Sequence, residues 1–182
     1  MQSIDVLTIN EEPRNKQDLV KIAEDAVRYF PTGSWDNVRY LGKLSLDHDV
    51  KVATNEECLE AFLYEKLIQR IRKIGSSYRE TNFLLGITSD PVLAMYCFLE
   101  GNNLKRTAYL VHDYMIETTG VVSFFRVKED SASKVVAHGL GHSKGLLHHA
   151  EPIDLMYSEL LEASKLKVEG FCKPCSSKLT RA

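Results

Sequence analysis

The sequence predicts one α/β domain with a small metal-rich C-terminal part, and three observations carry that expectation. Short apolar and β-branched runs alternate with amphipathic helical stretches as far as Val127. Four of the six histidines then fall together in "HGLGHSKGLLHH", His138 to His149. A CxxC pair, Cys172 and Cys175, comes near the end. A chain of 182 residues, 44% hydrophobic and 26% charged, suits a single buried core. No repeat, low-complexity tract or linker divides it.

The elements come in order along the chain. "SIDVLTI" (3–9) alternates and is β-branched, so it predicts a strand that "EEPRN" interrupts. From Lys16 to Phe30, Leu19, Val20, Ala23, Val27 and Phe30 recur at helical spacing until Pro31 and Gly33. "NVRYLGKLSL" (37–46) is a second strand. Thr54 and Glu57 have capping-box spacing, and Leu59, Phe62, Leu63, Ile68 and Ile71 form one apolar stripe, which predicts a long helix ending at Gly75. "NFLLGIT" (82–88), "LAMYCFL" (93–99), "TAYLVH" (107–112) and "GVVSFFRV" (120–127) read as sheet.

A formal net charge of −2 with interspersed signs gives no footprint for nucleic acid and no polybasic segment for a membrane surface. No uncharged run reaches the roughly 18 apolar residues of a membrane span, and the N-terminus has no signal-peptide pattern. The expectation is a soluble, cytoplasmic protein. Four cysteines are too few for a disulfide scaffold, so CxxC suits metal in a reducing compartment. Cys58 and Cys97 are expected as buried core thiols.

On a helix, residues four apart differ by about 40° in direction, so His138 and His142 can face one ion. Gly145 can take the left-handed conformation that ends a helix, and the reversed chain then returns His148 as a third nitrogen. Three imidazoles with an open fourth position describe a catalytic type of zinc site. The stretch "GLGHSKG" lacks the spacing of a phosphate-binding loop and does not open a helix after a strand.

"HGLGHSKGLLH" resembles the HExxHxxGxxH helix of metzincin zinc peptidases, and the residues after it resemble one branch, the archaemetzincins. In that family a Cys directly follows the third His; after four intervening residues comes a second Cys, then one residue and the Met of the Met-turn, with CxxC further on. Here His149, "AEPI", Asp154, Leu155 and Met156 keep that frame, and Cys172 and Cys175 supply the CxxC. "NFLLGITSD" and "GVVSFFRV" also resemble strands preceding the family's active-site helix. The resemblance implies a single metzincin-like domain over 1–182, of α/β (α+β) class, with a mixed twisted sheet. Residues 1–145 would form an upper region that ends with the active-site helix; residues 146–182 would form a lower region carrying the Met-turn at Met156 and a small zinc subdomain. It further implies a catalytic-type Zn2+ on His138, His142 and His148, and a second, structural zinc on His149, Asp154, Cys172 and Cys175. Nitrogen and carboxylate oxygen are competent ligands at the two replaced cysteine positions.

The implied activity is that of a zinc metallopeptidase acting on a peptide or protein substrate laid along an edge strand near "CFLEG". Gly139, however, stands where the family carries the glutamate that moves protons between water and the leaving amine. Loss of such a base typically lowers a rate by about 10²–10⁴-fold. Glu151 or Glu100 are the carboxylates considered as replacements. The expectation divides between a peptidase, a degenerate protein that binds metal or peptide without turnover, and a purely structural two-zinc protein. Within a helix Gly139 and Gly141 are each less favourable than Ala by about 1 kcal/mol. Gly139→Glu is accordingly expected to stabilise the helix and restore a base, provided the pocket has room.

Overall fold

A computed structural model describes residues 2–11, 16–53, 57–75, 82–101, 103–150, 154–157 and 168–180. Its centre is a five-stranded sheet in the order β2 (Val38–Leu44), β1 (Ile4–Ile9), β5 (Phe83–Thr88), β9 (Thr119–Ser123) and β8 (Asp113–Ile116). The first four strands are parallel and β8 runs antiparallel to β9, with Asp113 opposite Val122. β1 and β5 are buried throughout, as expected of parallel strands covered on both faces.

Strand alternation divides the apolar residues between two cores. Ile4, Val6, Phe83, Leu85, Ile87 and Val122 face α1 (Lys16–Val27) and α3 (Ala132–Ser143). Leu7, Ile9, Leu84 and Val121 face α2 (Tyr64–Gly75), through Leu67, Ile68 and Ile71. The first core continues without a break into Leu146, Leu155, Met156, Val168, Cys175 and Leu179. The end of α3 is anchored there too, because the Lys144 ammonium lies 3.9 Å above the Trp35 ring.

A second sheet has the order β3 (Val50–Ala53), β4 (Cys58–Leu63), β6 (Val92–Glu100) and β7 (Asn103–Leu110). β6 and β7 form a hairpin whose outer half exposes Tyr96, Phe98, Leu99 and Leu104. Cys97 lies on that exposed stretch, and Cys58 is exposed at the start of β4, so neither is the buried core thiol expected.

The long helix expected from 54 to 75 is a strand joined directly to a helix. Cys58–Leu63 pairs antiparallel with β3, and Phe62 and Leu63 pair parallel with Val92 and Leu93. Phe62, Ile68 and Ile71 enter one core, so their stripe suited either period until β3 supplied a pairing partner. Thr54 lies outside the described residues. The strand expected over 120–127 stops at Ser123, because Ser123 Oγ turns onto the Phe125 amide at 3.2 Å and Arg126 adopts φ +57°. Among the described residues no helix is long and apolar enough to cross a membrane.

Candidate metal centre

α3 presents His138 and His142 one turn apart, and its end returns the chain as the sequence predicts. Gly145 has φ +78°; its amide donates to His142 O at 2.9 Å, and the Leu146 amide donates to Gly141 O at 3.0 Å. These are the paired bonds of a Schellman stop. Leu146 is thereby buried and His148 emerges beside the other two imidazoles. The three Nε2 atoms stand 2.9 Å (His138 to His148), 3.1 Å (His138 to His142) and 2.9 Å (His142 to His148) apart.

The far side of each ring decides what those nitrogens carry. His138 Nδ1 lies 2.6 Å from Leu155 O and His142 Nδ1 lies 3.0 Å from Leu146 O. A carbonyl can only accept, so both Nδ1 atoms carry the proton and both neutral rings turn an Nε2 lone pair inward. Two lone pairs 3.1 Å apart cannot hydrogen-bond to one another, and a shared cation removes the conflict. Protonation is disfavoured as a remedy: burial holds His138, His142 and His148 below the ordinary imidazole range, and repulsion among the rings adds to this for His142 and His148. A triangle of this size accepts an ion about 2 Å from each nitrogen. His138 is buried, His142 half-buried and His148 exposed, so the group opens to solvent on one side.

Met156 is fully buried and packs against α3 at Gly141. A Cβ at residue 141 would come within 2.6 Å of its sulfur and 3.3 Å of the Phe171 ring, so Gly141 permits the close approach of helix and turn. The preceding residue, Leu155, supplies the carbonyl that orients His138.

Asp154, in the same turn, is also fully buried and begins a second cluster. Its Oδ2 contacts His149 Nε2, which lies 3.8 Å from Cys172 Sγ and 3.7 Å from Cys175 Sγ. The four ligand atoms lie within 4.8 Å of one another. Cys172 caps α4 (Lys173–Leu179) and Cys175 sits in its first turn, so one short helix aims both sulfurs inward. Burial alone would raise the Asp154 carboxyl, but hydrogen bonds from Cys172, the Met156 amide, Cys175 and His149 hold it below the usual carboxylate range. Burial and then the Asp154 carboxylate push the Cys175 thiol up to about 12; the same two causes raise Cys172. Such thiols stay protonated until a cation joins the site, and a coordinating metal ionises them outright. The donor set fits zinc.

The structure therefore brings together every residue on which the sequence places a metal ligand, in two groups. Glu100 is elsewhere, in the second sheet and ion-paired with Lys105; Glu151 lies outside the described residues. "CFLEG" lies at the end of β6 of the second sheet, whereas the edge strand that packs against α3 is β8 of the first. Sequence reasoning missed β8 because four residues, "DYMI", carry too little pattern. It missed Asp113 for the same reason.

Asp113 and Met115, alternate residues on one face of β8, seat against α3 at Gly139. A Cβ on residue 139 would overlap the Met115 methyl and lie 3.2 Å from both Asp113 Cβ and Asp113 Oδ2. A side chain at 139 therefore requires the Met115 methyl to swing aside and Asp113 to yield by a few tenths of an ångström, so the room on which the expected stabilisation by Gly139→Glu depends is already occupied. Burial pushes the Asp113 carboxyl up to about 6, against the opposing pull of the His142 and His112 imidazoles.

An α/β domain with two mixed sheets, an edge strand beside the histidine helix and a turn beneath it is an archaemetzincin-like fold. The chain is similar over 99% of its length to the archaemetzincin of Methanopyrus kandleri, with TM-score 0.66, 21% identity and 94% of that chain covered. It is similar over 97% of its length to a zinc-dependent peptidase of Methanocorpusculum labreanum, with TM-score 0.62, 14% identity and 100% of that chain covered. Metalloproteinase-II of Bacteroides fragilis matches with TM-score 0.54 and 10% identity, over 99% of this chain and 52% of its own. The likeness is one of fold. No protein-family model matches the sequence, and no curated protein does.

One consequence can be measured directly. A histidine binds metal only when neutral, and burial lowers the pKa of all three imidazoles, so protons begin to compete only at more acid pH. Zinc is expected to remain on the protein down through the free-imidazole value of about 6.5 and to leave below it. Dialysis across a pH series and then elemental analysis tests this; release centred above that value would contradict it.

Proposed function

We propose that this chain is a zinc-dependent metallopeptidase of archaemetzincin type, hydrolysing a peptide or protein substrate. The observation that carries the reading is the three-histidine group, with two Nδ1 protons committed to carbonyls and the Nε2 atoms gathered within 3.1 Å around an open side. His138, His142 and His148 hold the catalytic-type zinc, and Met156 forms the Met-turn floor. His149, Asp154, Cys172 and Cys175 hold a second zinc that ties the C-terminal region to the turn. The whole of 1–182 acts as one metzincin-like domain, with residues 1–145 as its upper region and residues 146–182 as its lower region. Two unpaired thiols in a metal site fit a reducing, cytoplasmic setting.

Zinc in the first site supplies acidification of water and polarisation of the scissile carbonyl. The chain's own role is to fix the imidazole tautomers through Leu155 O and Leu146 O, and to offer β8 as the edge along which an extended peptide can pair. Gly139 favours a second reading, a catalytically degenerate zinc protein that binds metal or peptide without turnover, since residue 139 brings no carboxylate.

Protein purified without chelator is expected to contain zinc and to cleave unstructured peptides. His142→Ala should lose the metal of the first site and the activity with it. Unchanged metal content in His142→Ala would refute the ligand assignment. A zinc-loaded parent that cleaves no faster than His142→Ala would leave the degenerate reading in possession.

A further inference from the structure

In an α-helix residue 139 projects within about 100° of both His138 and His142, so whatever fills the space off its Cα stands beside those imidazoles. Gly139 leaves that space to strand β8. There Asp113 Oδ2 and Cβ each lie 3.2 Å from the point where a Cβ of residue 139 would sit. The strand is held in register, with Asp113 paired to Val122 and the Ser123 amide donating to His112 O at 2.7 Å. Met115, two residues on, fills the gap between Gly139 and Gly120, where a Cβ on either glycine would overlap it. The two glycines and the one face of β8 are thus a single packed arrangement: the helix has no side chain at 139 because the strand occupies its place.

We infer that Asp113 supplies, from the edge strand, the carboxylate that residue 139 lacks, and acts as the proton-transfer residue of the three-histidine site. The inference rests on the peptidase reading proposed for that site. Asp113 is not one of the group whose ligand atoms all lie within 4.8 Å of one another, so the role assigned to it is not that of a metal ligand. Its chemistry is a proton relay. As a water oxygen bonds to the peptide carbonyl carbon, Asp113 takes one proton from that water. As the carbon–nitrogen bond breaks, it returns the proton to the leaving nitrogen.

Asp113→Asn keeps the shape and removes the base. Two readouts on zinc-loaded protein separate the possibilities: hydrolysis of an unstructured peptide, and calorimetric binding of acetohydroxamate, which needs an open metal and gives its proton to a neighbouring carboxylate. Asp113→Asn is expected to keep its zinc and its melting temperature, to lose about 10²–10⁴-fold in hydrolysis, and to bind acetohydroxamate about tenfold or more weakly. If the parent binds acetohydroxamate without cleaving peptide, the binding comparison alone decides. Equal acetohydroxamate affinity in parent and variant overturns the role of Asp113 and leaves the zinc site standing. A parent that carries zinc and binds no acetohydroxamate takes down the open-site reading together with this one. Should Asp113→Asn fail to fold, Asp113→Ala, which adds no atoms, replaces it in the same comparison.

Discussion

Gly139→Glu is expected to destabilise the protein by about 1–3 kcal/mol, the usual penalty for forcing extra atoms into a packed site. Helix propensity works the other way, by up to about 1 kcal/mol, and is the smaller effect. The overlap falls on the Met115 methyl, whose sulfur already occupies the space over Gly120, and on Asp113 Cβ and Oδ2 at 3.2 Å. A glutamate here also sets one carboxylate against another in a partly enclosed space, which adds repulsion. Denaturant unfolding of the parent, Gly139→Glu, Met115→Ala and the double variant measures the conflict as a coupling energy. The double variant should recover much of the loss. A Gly139→Glu protein at least as stable as the parent would show that the strand yields easily, and would remove the packing explanation for this glycine.

Cys175→Ala is expected to have the other large effect. In the proposed second zinc site the metal's binding free energy is folding free energy, because the four ligands converge only in the native state. The variant should carry one zinc fewer per chain and melt lower by about 10 °C, the shift that a few kcal/mol produces in a chain of this size. Asp154 makes the effect severe: it is fully buried, and a buried carboxylate that loses a partner keeps its desolvation penalty. A chelator should lower the melting temperature of the parent toward that of the variant and change the variant much less. Identical zinc content and melting in the two proteins would exclude the second site.

The difference between these substitutions marks where the sequence could be read. Ligand spacing is a local property: a helical period places His138 under His142, and a left-handed glycine brings His148 back, so the tripod could be anticipated from eleven consecutive residues. The frame from His149 through Asp154 to CxxC was legible because family motifs preserve separations along the chain. β1, α1, β2 and β5 were legible because each is long and periodic enough to declare its state. The stretch from 58 to 63 was not, since its apolar residues suit a helix face as well as a strand, and pairing with β3 chose between them.

The sequence by itself determined an α/β chain with two groups of metal-competent residues and a glycine where a base was expected. Only the tertiary structure decided what the glycines are for. Gly139 and Gly141 look alike in the sequence, two helix-weakening residues two positions apart, yet they face different neighbours: Gly139 admits Asp113 and Met115 of the edge strand, and Gly141 admits Met156 and Phe171 from the chain that follows the helix. The physical reason is that a missing side chain carries no record of what fills its space. That filling is a contact between residues far apart in the chain, which no local period or spacing encodes, and it exists only once sheet, helix and turn have packed together.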